Sequence, residues 1–229
     1  MHHEHHLKSS DTIRDIVIGM SDGLTVPFAL AAGLSGAGGS SGIVVTAGIA
    51  EIVAGSIAMG LGGFLAGRTE ADHYNSELRR EYEEIERVPE QEKFEVKEVF
   101  AGFGLSKTLQ DQITDEMAKD KDKWVDFMMR YELGLEKPEA NRAKQSAITI
   151  GVSYIVGGII PLSPYFFIRD SQVALYYSCA ITMVCLFVFG YFKSKVTGQP
   201  LFGGALKVLI IGALAAAAAF IMAKAINAL

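Results

Sequence analysis

Two cysteines in 229 residues are too few to staple a small secreted fold. Cys179 and Cys185 stand six positions apart in one apolar stretch, off a common helical face and without a Cys or His neighbour. They read as packing residues, not as ligands or a disulfide. Charge is also scarce over most of the chain. Outside residues 68–144, 152 positions hold only 7 basic and 6 acidic side chains, whereas the 77 residues inside hold 14 basic and 20 acidic. A chain divided in this way is neither an ordinary soluble enzyme nor a disordered polymer. Its polar block is net acidic and repels phosphate, which excludes nucleic acid as a partner. The N-terminus is polar, and the first apolar run lacks the pattern of a cleaved secretory signal. No GxxxxGK(S/T) loop, paired-His zinc motif or Ser/His/Asp arrangement is present. The chain is therefore read as a non-enzyme without a cofactor, and any transport it performs must draw on a gradient. Glu70-Ala-Asp-His73 has the Glu-x-x-His spacing of di-iron proteins, but such a site needs a second copy and two further Glu, and the copy is missing.

Apolar runs dominate what remains. A bilayer core about 30 Å thick takes roughly 20 apolar residues per helix. Five stretches fit: 16–34, interrupted by Asp22 and Pro27; 43–66, containing Glu51; 147–168, ending in Pro161 and Pro164; 173–192; and the Ala-rich 206–226. The expected fold is all-α, with five membrane spans and a helical insert between the second and third. Residues 1–15 form a tail, 16–67 the first two spans, 68–146 the insert and 147–229 the last three spans. With five spans, 19 of the 21 Lys and Arg fall on the side of the N-terminus and the insert. Lys and Arg mark the cytosolic face, so that side is assigned to the cytosol. The competing reading has four spans and a buried first segment, and would turn the insert outward.

Asp22 and Glu51 are the only acids well inside a span. A charge at mid-membrane costs about 2.5–3.5 kcal/mol on insertion scales, and such residues usually face a pathway or a partner. Asp15, Gly19 and Asp22 share one face of the first helix, and Glu51, Gly55, Met59 and Gly63 recur every four residues on the second. A parallel row, Ala50, Ala54, Ala58, Gly62 and Ala66, allows close helix packing in lipid. One reading is a cation path lined by Asp15, Asp22, Glu51 and Met59. The plainer one has Asp22 capping a helix broken near Pro27 and Met59 only packing. Oxygen with sulfur favours a transition metal over Mg²⁺ or Ca²⁺. Carboxylates also exchange protons, so metal entry and proton exit compete for one acid.

Residues 43–87 contain no Pro, which predicts one helix of roughly 65–70 Å, longer than a bilayer core, with its far part as a stalk. Pro89 opens a second helix that Gly102 and Gly104 break, Ser106 caps a third to about Asp120, and a fourth runs from Asp122 to Leu133. Glu77, Glu81 and Glu84 share a stalk face, Glu92 and Glu95 a face of the next helix, and Met128, Met129 and Glu132 lie together on the last. These faces either converge on bound cations or form a solvated acidic surface paired with Arg79, Arg80, Arg87, Lys93 and Lys97. The tract His2, His3, His5 and His6 can hold metal loosely.

The segments SDGLTVPF at 21–28 and EIVAGSIAMG at 51–60 resemble the vacuolar iron transporters of the plant and yeast type, and the likeness covers nearly the whole chain except the His-rich start. The nodulin-like branch lacks the large insert that this chain has. The resemblance implies a homodimeric carrier in the vacuolar membrane, multi-pass, moving Fe²⁺, with Mn²⁺ and other divalent transition metals as alternative cargo, from cytosol to vacuole in exchange for protons. It places the path along the dimer axis at Asp22, Glu51 and Met59, with Asp15 nearer the cytosolic mouth. It also implies a cytosolic metal-binding insert with Glu81, Glu84, Glu92, Glu95 and Glu132 as carboxylate ligands, Met128 and Met129 as sulfur ligands, and Glu77 beside them. A membrane-anchored metal buffer or sensor, a passive divalent-metal channel and an anchored oxidase are the alternatives.

Overall fold

The structure is a computed structural model that describes residues 10–228. Among these residues it is all-helical: α1 Ser10–Gly36, α2 Ser41–Arg87, α3 Pro89–Gly102, α4 Lys107–Met117, α5 Lys121–Phe127, a π-helical turn Met128–Glu132, α6 Arg142–Phe167, α7 Ser171–Val196 and α8 Leu201–Asn227. Helices α1, α2, α6, α7 and α8 are each long and apolar enough to cross a membrane, the first included. The described residues form two compact units, one of those up to 64 and from 143 onward, the other of residues 65–142, with the boundary inside α2.

In the first unit the helices close on small residues, because apolar side chains alone give little drive for helix association in lipid. A Cβ on Gly19 would fall 2.3 Å from the Ile150 carbonyl oxygen, and one on Gly23 would fall 2.3 Å from that of Tyr154. These contacts are with backbone and cannot yield, so α1 and α6 touch main chain to main chain. Gly157 answers from α6, with its ideal Cβ 3.1 Å from the Gly23 carbonyl carbon. Gly158 makes room for the Ile52 side chain of α2, with its ideal Cβ 2.7 Å from Ile52 Cγ1. Phe28, Val44, Ile52, Leu162, Tyr165 and Leu175 fill the core beside this junction. Gly23→Ala should therefore force α1 off α6 and cost about 1–3 kcal/mol. Thermal unfolding of the detergent-solubilised protein checks this, and an unchanged midpoint would show that the helices are not in backbone contact.

The expected break of α1 at Pro27 does not occur, and the helix runs through it. Proline removes a single ladder donor, leaving the Gly23 carbonyl without its usual partner, and the helix, packed against α6 at Gly19 and Gly23, continues past it. In α6, Pro161 and Pro164 likewise leave the Gly157 and Ile160 carbonyls without ladder donors. The Ser163 hydroxyl donates to the Ile160 carbonyl at 2.7 Å, and the Ser178 hydroxyl to that of Pro161 at 2.7 Å.

In the second unit Tyr74, Ile85, Val96, Trp124, Val125, Met128 and Met129 form the core. Pro89 starts α3 and Gly102 ends it, and Gly104 at φ +80° makes the turn that follows. The Asp120 side chain accepts from the Lys123 amide and caps α5, while Ser106 stands at the start of α4 without a side-chain bond to it. Expected as one α-helix, the last element finishes as the π turn, which Gly134 at φ +64° closes. Tyr82–Asp122 and Lys121–Glu86, both 2.8 Å, tie α5 to α2.

Candidate functional site

Within the membrane unit the acids collect where α1, α2 and α6 meet. Asp15 is buried and Asp22 half-buried on the α1 face that approaches α6. Glu51 projects from α2. The Tyr154 hydroxyl of α6 donates to its Oε1, while Oε2 is buried with no donor within reach. Gly55, one turn along α2, makes this bond possible, since a Cβ there would fall 2.5 Å from the Tyr154 hydroxyl. The Tyr154 backbone also lies against Gly23, the neighbour of Asp22 on α1. One residue of α6 therefore bonds to Glu51 and packs against the turn that carries Asp22. Gly23 and Gly157, whose carbonyls lack ladder donors, pack against each other next to Asp22. Met59 is half-buried two turns beyond Glu51 on the same row. The row Ala50, Ala54, Ala58, Gly62 and Ala66 is exposed. Carboxylate oxygens in so apolar a setting can take up either a proton or a partly dehydrated cation.

Tyr154 is the residue that reading from the sequence missed. The signal was a lone phenol inside an apolar span, because a buried Tyr hydroxyl needs a polar partner and a span offers few.

In the second unit the acids divide. Arg80 pairs with Glu84 at 3.2 Å and with Glu77 at 3.7 Å, and His73 reaches Glu77 at 3.8 Å. Lys93 pairs with Glu90 and Lys97 with Asp111. Of the acids singled out from the sequence, Glu77 and Glu84 thus share Arg80, and His73 is turned to Glu77. Glu81 and Glu92 behave otherwise. They are 4% and 3% exposed, no ion pair among the described residues reaches them, and Glu81 Oε2 is buried without a donor. Burial, reinforced by Glu132, Glu92, Glu84 and Glu95, pushes Glu81 up to about 7. Burial, with Glu95, Glu84 and Glu132, pushes Glu92 up to about 7 against the opposing pull of Arg80. Glu132, at the rim, is raised by desolvation and by Glu95 and Glu84. The five carboxylates therefore feel one another. Among the described residues no three His, Cys, Asp or Glu side chains are drawn together as a closed coordination sphere, as mutual repulsion of carboxylates dictates. Met128 and Met129 are buried in the core, on the π turn that also carries Glu132. Turns of this kind recur at functional positions. Histidines 2, 3, 5 and 6 lie outside the described residues.

These shifts fix a pH dependence. Glu81 and Glu92 hold protons more tightly folded than unfolded, where a Glu titrates near 4.5. Between that value and about 7 the native state binds more protons, so stability falls as pH rises through the window. Thermal midpoints of the metal-free protein should decline from pH 4.5 to 7.5, and a flat or rising profile would contradict the burial of these acids.

A model of the VIT family matches residues 13–224. The chain is similar to Vacuolar iron transporter 1 of Tulipa gesneriana, 52% identical over 226 residues that cover 99% of this chain and 92% of that one. Vacuolar iron transporter 1 of Arabidopsis thaliana is 52% identical, with 99% and 90% covered. Protein CCC1 of Saccharomyces cerevisiae is 40% identical over 227 residues, 93% of this chain and 68% of that one. An all-helical chain with five candidate spans, matched by these relatives and by the family model over almost its full length, belongs to the VIT family.

Proposed function

We propose that the chain carries Fe²⁺, and other soft divalent transition metals such as Mn²⁺, from cytosol into the vacuole in exchange for protons. The observation that carries this reading is the Tyr154–Glu51 bond beside the turn that carries Asp22, where a Glu51 carboxylate oxygen stands buried and without a donor. An acid held there needs a cation or a proton as its counterpart. A divalent ion arriving at Asp22 and Glu51 displaces protons, which leave in the opposite direction. The carbonyls of Gly23 and Gly157 add neutral oxygens, and the Met59 thioether biases the path toward softer ions. Tyr154 holds Glu51 in register and hands its hydrogen bond over when the carboxylate turns to the metal.

Two copies of the chain complete the path around a two-fold axis, since homo-oligomers mostly close as C₂ dimers. The exposed small-residue row of α2 is the surface on which backbones can approach. Residues 65–142 lie on the cytosolic side, as the Lys and Arg distribution implies. There Glu81, Glu84, Glu92, Glu95 and Glu132 collect metal, with Met128 and Met129 as soft donors and Glu77 in reserve with Arg80. A negative cluster raises the local concentration of cations available to the membrane path.

Proton exchange is tested in sealed vesicles with an acidic lumen. Collapsing the gradient with a protonophore should slow Fe²⁺ entry about tenfold, because a tenfold proton gradient supplies about 1.4 kcal/mol per proton. Entry indifferent to the gradient would make the chain a passive channel.

A further inference from the structure

We propose that a second site, at the turn between α7 and α8, binds the phosphate-bearing headgroup of an anionic phospholipid. A cavity of about 460 Å³ opens there, with Lys193 on one side and Lys207 on the other. The turn itself satisfies its own backbone. The Thr197 amide and hydroxyl both donate to the Lys193 carbonyl, the Gln199 amide donates to that of Ser194, and Gly198 at φ +66° reverses the chain. The lysine heads are not used in this way. The ion pairs among the described residues employ other cations, and Lys193 and Lys207 share in none. Two ammonium groups without an acidic partner line this one hollow and favour an anion there.

The walls say which kind. Near the turn the cavity is polar, with Ser194, Thr197 and Gln199, and deeper along α8 it is lined by Val208 and Ile211. Phe192, Val196, Phe202 and Leu206 are exposed beside it. Both helices are long and apolar enough to span, so their four-residue connection lies at a membrane face. A site that is cationic at its mouth and apolar below fits an amphiphile, and basic pockets between transmembrane helices bind phosphorylated headgroups. The first turn of α8 has no capping side chain and adds unoccupied amides on the same side. Close packing preserves the hollow: Gly204 sits directly on the Ser194 hydroxyl, and a Cβ on Gly190 would fall 2.8 Å from the Ala205 Cα.

Native mass spectrometry of the full chain, released from nanodiscs of phosphatidylcholine with or without phosphatidic acid, tests this. Phosphatidic acid should be retained about thirtyfold over phosphatidylcholine, as two lysines near an anionic headgroup imply. Lys193→Gln with Lys207→Gln should erase the preference, and Lys224→Gln, at the opposite end of α8, should keep it. Gly203→Phe fills the cavity with every charge in place, and its ideal Cβ meets nothing nearer than 3.8 Å. That variant should also lose retention, whereas a merely charged surface would keep it. Equal retention of the two lipids, or a preference that survives both changes, would overturn the proposal. Soluble inositol hexakisphosphate bound by detergent-solubilised protein, with no retention of phosphatidic acid, would overturn the lipid assignment.

Discussion

Asp22→Asn should cut Fe²⁺ entry into reconstituted vesicles about a hundredfold, and Glu51→Gln should do the same. An amide keeps the shape of the carboxylate but removes a full charge from a region where a cation has lost most of its water. On membrane-insertion scales one charge is worth about 3 kcal/mol, and each 1.4 kcal/mol is tenfold. Glutamine can still accept the Tyr154 hydroxyl, so Glu51→Gln should leave the thermal midpoint nearly unchanged and separate transport from folding. Asp170→Asn is the matched control, because that residue caps α7 from an exposed position and faces no span. Its uptake should equal that of the parent. Undiminished uptake by both Asp22→Asn and Glu51→Gln would remove the junction from the path.

The second large effect runs in opposite directions for stability and binding. Glu81→Gln with Glu92→Gln should raise the thermal midpoint of the metal-free protein at pH 7.5 by about 3 °C, since 1 kcal/mol shifts a protein of this length by roughly that much. Both carboxyls are pushed up to about 7, so at pH 7.5 they ionise against burial and against one another. Neutral amides escape that cost. The same double change should abolish the stabilisation that anaerobic Fe²⁺ gives the parent, because a ligand raises the midpoint only through the native state that binds it. Function that depends on such strained acids commonly lowers intrinsic stability. A lower midpoint together with unaltered metal binding would make these two glutamates structural.

The helices were legible because their punctuation is local. Pro89, Gly102 and Gly134 act through their own backbone, and the spans declare themselves by length and hydropathy. Pro27 was misjudged for a tertiary reason: the glycines of α6 hold α1 in place, so the loss of one donor does not break it. Asp22 and Glu51 stood out as charges among apolar neighbours. Tyr154 did not, since its partner lies 103 positions away and only packing brings them together. In the second unit, spacing put Glu77, Glu81 and Glu84 on one face but could not rank them. The structure buries Glu81 and leaves Glu77 to Arg80 and His73. Met128 and Met129 were proposed as donors by resemblance. Their burial beside Trp124 and Val96 gives them a packing role as well, and the π turn beneath them has no local sequence signal.

The most direct test is Fe²⁺ entry into sealed, inside-acid liposomes containing the purified full chain, followed by a fluorescent chelator in the lumen with Mg²⁺ in excess outside. Saturable entry that Mg²⁺ does not block is the expected result. Fe²⁺ that binds the protein yet enters no faster than into empty liposomes would contradict it and leave a membrane-anchored metal buffer.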